Sequence, residues 1–307
     1  MNLSAMLDKM VVLFIAILVG YLITKLGVIN KDANKVLSAL IVNLANPLLI
    51  LSSVMTDERL LTNVQVLELT GVAALCYAFL IGTSFLIPHI LRAPKQDAGI
   101  YRLMYIFSNI GYIGYPVVSA LFGPSAVFYA TVFVLLFQVL CWSYGVHLAK
   151  GEGRFRFSFS VMKSPCIIAA LLAYVIYFTG LRLPAVLEES VSFLGSLTTP
   201  LCMLVIGCSL AQMPLKTVFS RWRVYVLAAV KMLLVPVLAY ALLHRFVTNE
   251  LILGVTIVIL SMPVATNVPI ICCQCNQDED LGASGVFLTT LLSIGSIPLI
   301  MQLLFGA

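Results

Sequence analysis

Residues 109–118 read NIGYIGYPVV, so an asparagine, two glycines and a proline fall within eight positions of an otherwise apolar run. Proline removes a backbone donor and clashes with the preceding turn, while glycine lowers the cost of leaving helical geometry. A helix carrying this stretch is expected to unwind around it. Unwound backbone survives in a bilayer only where protein buries it or a watery cavity meets it.

A bilayer is the setting because of what surrounds the stretch. The chain has 307 residues, 61% hydrophobic and only 10% charged, with a mean hydropathy of +1.07, outside the range of soluble globular domains. Apolar runs long enough to cross ~30 Å of hydrocarbon recur along its whole length. They fall at 9–27, 36–55, 66–91, 99–122, 125–148, 163–180, 190–211, 222–246, 249–273 and 281–305, which makes ten segments joined by short loops. The expected fold is all-α and integral to the membrane. The first segment is preceded by a single basic residue, Lys9, and followed by no small-residue cleavage site, so it is expected to remain as a helix.

Cytoplasmic loops carry the excess of Lys and Arg. With the N-terminus outside, Lys25, Lys31, Lys35, Arg92, Lys95, Arg102, Lys150, Arg154, Arg156, Lys163, Lys216, Arg221 and Arg223 lie on the cytoplasmic side, against Lys9, Arg59, Arg182 and Arg245 outside. Ten segments then return the C-terminus to the outside, across a bacterial-type inner membrane. Asp278, Glu279 and Asp280 in the ninth loop run mildly against this, but acidic residues count for little in the rule. The net charge of +5 is therefore a topology signal. No basic patch interleaved with aromatics suggests nucleic acid.

Sliding the chain against itself by 153 residues superposes Gly27 on Gly180, Pro47 on Pro200, Tyr21 on Tyr174, Ala130 on Ala283 and Pro116 on Pro269 without a gap. Residues 1–152 and 153–307 thus look like two copies of five segments. Five is odd, so the copies would sit upside down relative to each other, a pattern typical of secondary transporters with a site between the repeats. The partner of NIGYIGYP is MPVATNVP, residues 262–269 in the ninth segment. One such interruption ordinarily means a packing kink. Two in corresponding places point to crossed, discontinuous helices presenting Asn109, Gly111, Tyr112, Gly114 and Pro116 from one side and Thr266, Asn267 and Pro269 from the other.

These residues carry a family resemblance. The pattern N-x-G-Y-x-G-x-P at 109–116, NPLL at 46–49, TTPLCMLVIGCSLA at 198–211 and P-x-x-x-N-x-P at 263–269 resemble the auxin efflux carrier family. Its bacterial members are often described as malate or malonate transporters, and its plant members are the PIN-formed auxin exporters. The resemblance implies a fold similar to the bile-acid sodium symporters and the antiporter NhaA, in which a scaffold domain and a transport domain slide past each other. Segments 1, 2, 6 and 7 would form the scaffold, through which relatives dimerise, and segments 3–5 and 8–10 the transport domain. By the same resemblance Pro116 and Pro269 are crossover prolines and Asn109 contacts a substrate carboxylate. The long cytoplasmic loop of the plant carriers is replaced by KGEGRFRFSFS, residues 150–160.

Lys231, in VLAAVKMLLVP, lies about eight residues inward from Arg223, ~12 Å along a helix, too deep for comfortable snorkelling. It either reaches the interface or hydrogen-bonds helix-end carbonyls, or else serves as a counter-charge for an anion or a group that couples transport to protons. Asn43 and Asn46, one turn apart before Pro47, either line the cavity or bond across helices, and Thr199 and Pro200 stand at the equivalent place in the second copy. CCQC at 272–275 has no His or second Cys pair at ligand spacing, and the other five cysteines read as small hydrophobes. His89, His147 and His244 lie near helix ends. No nucleophile elbow, phosphate loop or paired carboxylates appear, so neither an enzyme, a cofactor nor a metal is expected.

The sequence therefore leads to a secondary transporter of a small organic anion, a carboxylate of auxin-like or dicarboxylate type, working by elevator-type alternating access. A sodium-coupled symporter and a non-transporting ligand sensor on the same fold are the alternatives. A channel would share the spans and differ in its rate.

Overall fold

The computed structural model describes residues 3–55, 62–151, 163–212 and 218–306, and these are helical, with a single isolated bridge outside the helices. In chain order they form α1 (Leu3–Lys25), α2 (Lys31–Ser52), α3 (Val64–Ser84), α4 (Ala98–Ile106), α5 (Ile110–Phe122), α6 (Pro124–Lys150), α7 (Pro165–Thr179), α8 (Ala185–Ala211), α9 (Trp222–Leu243), α10 (Glu250–Leu260), α11 (Asn267–Gln274) and α12 (Glu279–Phe305). Six of them, α2, α3, α6, α8, α9 and α12, are long and apolar enough to cross a membrane. Shorter apolar helices occupy α1, α5, α7 and α10. The fourth and ninth segments are each split in two, into α4 with α5 and α10 with α11. Arg59, Arg154, Arg156, Lys216 and residues 152–160 of the loop proposed to join the two copies lie outside the described residues.

The helix starts follow ordinary capping rules. Asn30 accepts the amide of Ala33 ahead of α2, Thr62 and Gln65 cap each other before α3, and Asn249 accepts from Leu251 and Ile252 at α10. Asp278 accepts from Leu281 at the start of α12 and also pairs with Arg221 at 2.9 Å, tying α12 to the residue that precedes α9.

Three interior prolines are handled by a recurrent device. Single wide turns at Ile41–Ala45, Ile110–Gly114 and Val230–Leu234 each end two residues before a proline, namely Pro47, Pro116 and Pro236. In each the backbone bond spans five residues: Asn46 N–H to Ile41, Tyr115 N–H to Ile110 and Val235 N–H to Val230. Widening the turn relieves the clash between the ring and the preceding carbonyl, so the helix passes the proline without ending.

The outer surface, unlike that of a soluble protein, is apolar. α1 exposes Val11, Val12, Ile15, Leu18, Val19 and Leu22, a surface that only hydrocarbon accommodates. Helices meet through small residues, since lipid offers no hydrophobic drive to bring them together. α1 lies backbone to backbone on the second half of α8: a Cβ on Gly20 would land on the carbonyl oxygen of Leu204, and one on Gly207 on that of Ile17. The Cys208 thiol donates to the Gly20 carbonyl at 3.4 Å across the same contact. α2 packs on α7 and α8, and its Asn34 amide donates to Ser209 Oγ at 3.1 Å. Elsewhere α3 packs on α4 and α6, and α12 on α9, α11 and α4.

Gly207→Ala should accordingly destabilise the protein by about 1–3 kcal/mol, because no room exists for the added methyl. Thermal unfolding of the purified variant in detergent measures this, and a melting temperature equal to wild type would show that α1 and α8 are not held this closely.

Candidate functional site

The two interruptions meet. Phe107–Asn109, between α4 and α5, pairs antiparallel with Pro263–Ala265, between α10 and α11, through a bridge centred on Ser108 and Val264. The Asn109 amide donates to the Pro263 carbonyl at 2.8 Å, and the Ala265 amide to the Phe107 carbonyl at 3.1 Å. The Val264 amide donates to Thr289 Oγ1 at 3.0 Å, and that hydroxyl donates in turn to the Gly285 carbonyl of α12. Ser108, Asn109, Val264 and Thr289 are all buried. Extended backbone here survives because each break supplies partners to the other.

The prolines expected to sit at the crossing do not. Pro116 lies in the first turn of the straight part of α5, seven residues beyond Asn109, and the wide turn before it absorbs its missing donor. Pro269 lies in the first turn of α11, where a backbone N–H would have no intrahelical acceptor in any case. Pro263 is the proline in the break. It follows Met262, biases that residue away from helical geometry, and offers its carbonyl to Asn109.

Four half-helix ends converge on this point: the C-termini of α4 and α10, partly negative, and the N-termini of α5 and α11, partly positive. Asn109 caps α5, its Oδ1 accepting the Tyr112 amide at 3.2 Å, and this fixes which way its amide faces. Its Nδ2 then has no partner, although the side chain is only 3% exposed. Asn46, equally buried, donates through Nδ2 to the Gly111 carbonyl at 3.3 Å and leaves its Oδ1 unpartnered. An unsatisfied buried amide group costs about 1–3 kcal/mol, so the crossing keeps one spare donor and one spare acceptor at a price.

Two cavities, of about 460 and 400 Å³, reach this place and share Val42, Asn109, Tyr112, Thr266 and Asn267. The first adds Asn46, Gly111, Gln138 and Trp142, and the second Ser38, Ser209 and Thr290. Their charged linings among the described residues are Lys163 in the first and Lys35 in the second, and no described Asp or Glu lines either. Lys35 is exposed and lies 3.6 Å from Asp32 at the surface.

Of the residues marked in the sequence, Asn109, Gly111, Tyr112, Thr266, Asn267 and Asn46 line these cavities. Gly114, Pro116, Pro269, Pro47, Thr199, Pro200 and Lys231 do not. Asn43 is exposed and returns its amide to the Ala39 carbonyl one turn back in its own helix, so only Asn46 of the pair faces inward. Thr199 is half-buried and Pro200 exposed, on the part of α8 beside α2. Lys231 is 1% exposed, the one charged side chain fully buried among the described residues. Its Nζ donates to the Tyr105 carbonyl at 2.8 Å, near the C-terminal end of α4, where a cation complements the negative pole. It touches the crossing from behind and not from the cavity. Thr289 and Gln138 carried no signal strong enough to single them out, because their importance lies in contacts with distant parts of the chain, whereas Pro263 opens the P-x-x-x-N-x-P motif and was given no role of its own.

Comparison with known proteins is consistent over the whole chain. The family described as membrane transport protein matches residues 5–156 and 155–301. An uncharacterized transporter of Methanocaldococcus jannaschii is 26% identical over 94% of this chain and 95% of its own, and an uncharacterized transporter of Methanothermobacter thermautotrophicus is 27% identical over 93% and 94%. A Rhizobium meliloti protein named "Putative malonate transporter" is 25% identical over 94% of this chain and 92% of its own.

Thr289→Val keeps the shape of the side chain and removes the acceptor of the Val264 amide. Leaving that amide unpaired should cost about 1–3 kcal/mol. The loss is read as a lowered melting temperature together with faster hydrogen exchange confined to residues 261–266; unchanged exchange there would show that Thr289 does not brace the crossing.

Proposed function

Since the chain belongs to the membrane transport protein family, we propose that it is a secondary transporter carrying a small organic anion, a carboxylate, by elevator-type alternating access. The observation that carries this reading is the meeting of two acid-free cavities at a crossing where the Asn109 amide Nδ2 is buried and unpartnered. An anion entering there gains the converging N-termini of α5 and α11, the spare donor of Asn109 and the field of a nearby lysine, and meets no carboxylate that repels it. The name of the Rhizobium meliloti relative fits an acid of this size.

In this reading residues 1–152 and 153–307 are inverted copies, with both termini outside an inner membrane. α1, α2, α7 and α8 form the scaffold and the surface for a homodimer, and α3–α6 with α9–α12 the moving part. Both cavities reach the ends bearing Lys35 and Lys163, predicted cytoplasmic, which describes an inward-facing state. Lys231 does not contact the substrate; it acts through the α4 end it holds and is the group through which protons would be coupled. A sodium-coupled symporter is the second reading, favoured by the carbonyl-rich C-termini of α4 and α10 at the crossing.

In proteoliposomes, Asn109→Ala should reduce carboxylate flux at least about tenfold, the equivalent of one lost charge-assisted hydrogen bond, with expression retained and stability lowered only by the lost α5 cap, about 0.5–2 kcal/mol. Wild-type flux in this variant would remove Asn109 from the site, and binding of carboxylates without flux in the wild type would favour a sensor. Lys231→Met should flatten the dependence of flux on pH. If that dependence persists and flux instead follows a sodium gradient, the symporter reading stands in its place.

A further inference from the structure

A third cavity lies apart from the crossing, where α3 ends and α4 begins. It measures about 310 Å³, and Phe85, Pro88, His89, Lys95 and Arg102 face it. The chain leaves α3 at Ser84, makes a short helical turn at Ile87–Ile90 and re-enters helix at Ala98, which sets the pocket at the end of a membrane-long helix. Arg102 is half-buried and rigidly held. Its Nε donates to Ser84 Oγ at 3.2 Å, its Nη2 to the Tyr144 hydroxyl at 2.8 Å, and its guanidinium lies 3.8 Å over the centre of the Phe85 ring. All three partners are neutral, so the charge is positioned but not cancelled. Lys95 and His89 are exposed, and none of the three basic residues has a carboxylate partner among the described residues. The acid nearest in sequence, Asp97, feels the charges of Asp278, Arg221 and Arg223 and forms no ion pair with Lys95 among the described residues. Beside the pocket Phe85, Leu86 and Ile90 present large exposed apolar surface.

We propose that this pocket binds the phosphate headgroup of an anionic phospholipid. A rigid guanidinium flanked by two exposed basic side chains suits phosphate oxygens, and basic pockets between membrane helices are a recurrent way of holding anionic headgroups. The apolar rim suits acyl chains and has no use for a free, soluble phosphate. A zwitterionic lipid would bring its own cation against this cluster. The lipid would bear on the crossing, because Arg102 lies one turn before Tyr105, whose carbonyl holds Lys231 and whose hydroxyl bonds Thr83 at the end of α3.

The test uses the full chain in detergent, titrated with phosphatidylglycerol, phosphatidylcholine or inorganic phosphate and followed by thermal unfolding and native mass spectrometry. Phosphatidylglycerol should raise the melting temperature and be retained, with the other two ineffective. The double variant His89→Gln, Lys95→Gln, at exposed positions, should melt as wild type without lipid and bind phosphatidylglycerol at least about tenfold more weakly. Lys95→Gln alone should give a smaller loss. Equal effects of the two lipids, undiminished binding by the double variant, or competition by millimolar inorganic phosphate would each overturn the assignment, the last by making this a site for the free ion.

Discussion

A backbone amide or carbonyl in hydrocarbon must find a partner within the protein, and the molecule is organised around the one place where two helices forgo their own. At Phe107–Asn109 and Pro263–Ala265 the helical ladders stop, and two strand-like hydrogen bonds, with Thr289 taking the Val264 amide, stand in for them. The breaks can exist only together. Each satisfies the other, and the four helix ends they create point at a common spot.

Lys231, Asn109 and Asn46, buried near the centre of the molecule, answer to those ends. Lys231 holds the Tyr105 carbonyl at the negative end of α4, a role that makes a buried ammonium tolerable without an acid. Asn109 caps α5 with its carbonyl oxygen, and this local duty is what leaves its amide nitrogen unpaired. Asn46 braces Gly111 in the same way and leaves an oxygen. The spare donor and acceptor are thus by-products of building the crossing, set where two cavities reach it. The surrounding helices pack tightly through glycines such as Gly20 and Gly207 that bring backbones into contact.

Two of the uses of proline in this chain are not separated by the sequence pattern. Pro47, Pro116 and Pro236 follow wide turns and remain inside continuing helices. Pro263, in contrast, stands in extended backbone with its carbonyl engaged across the crossing. Both kinds look alike as letters amid apolar residues. The difference is made by whether the preceding turn widens or a partner strand is present.

Composition and periodicity by themselves determined the membrane class, the places of the apolar segments and the two segments that would be interrupted, because transfer into hydrocarbon is a sum over local residues and helix formation is a near-neighbour property. Asn109 and Asn267 were legible for the same reason: polar residues in an apolar run beside glycine and proline have few alternatives. Only the tertiary structure decided that the crossing falls on Ser108 and Val264 and not on Pro116 and Pro269, that Asn46 faces the cavity while Asn43 turns away, and that Lys231 answers a carbonyl 126 residues away. Those outcomes depend on which distant group supplies the missing hydrogen bond, and that is settled when the helices pack.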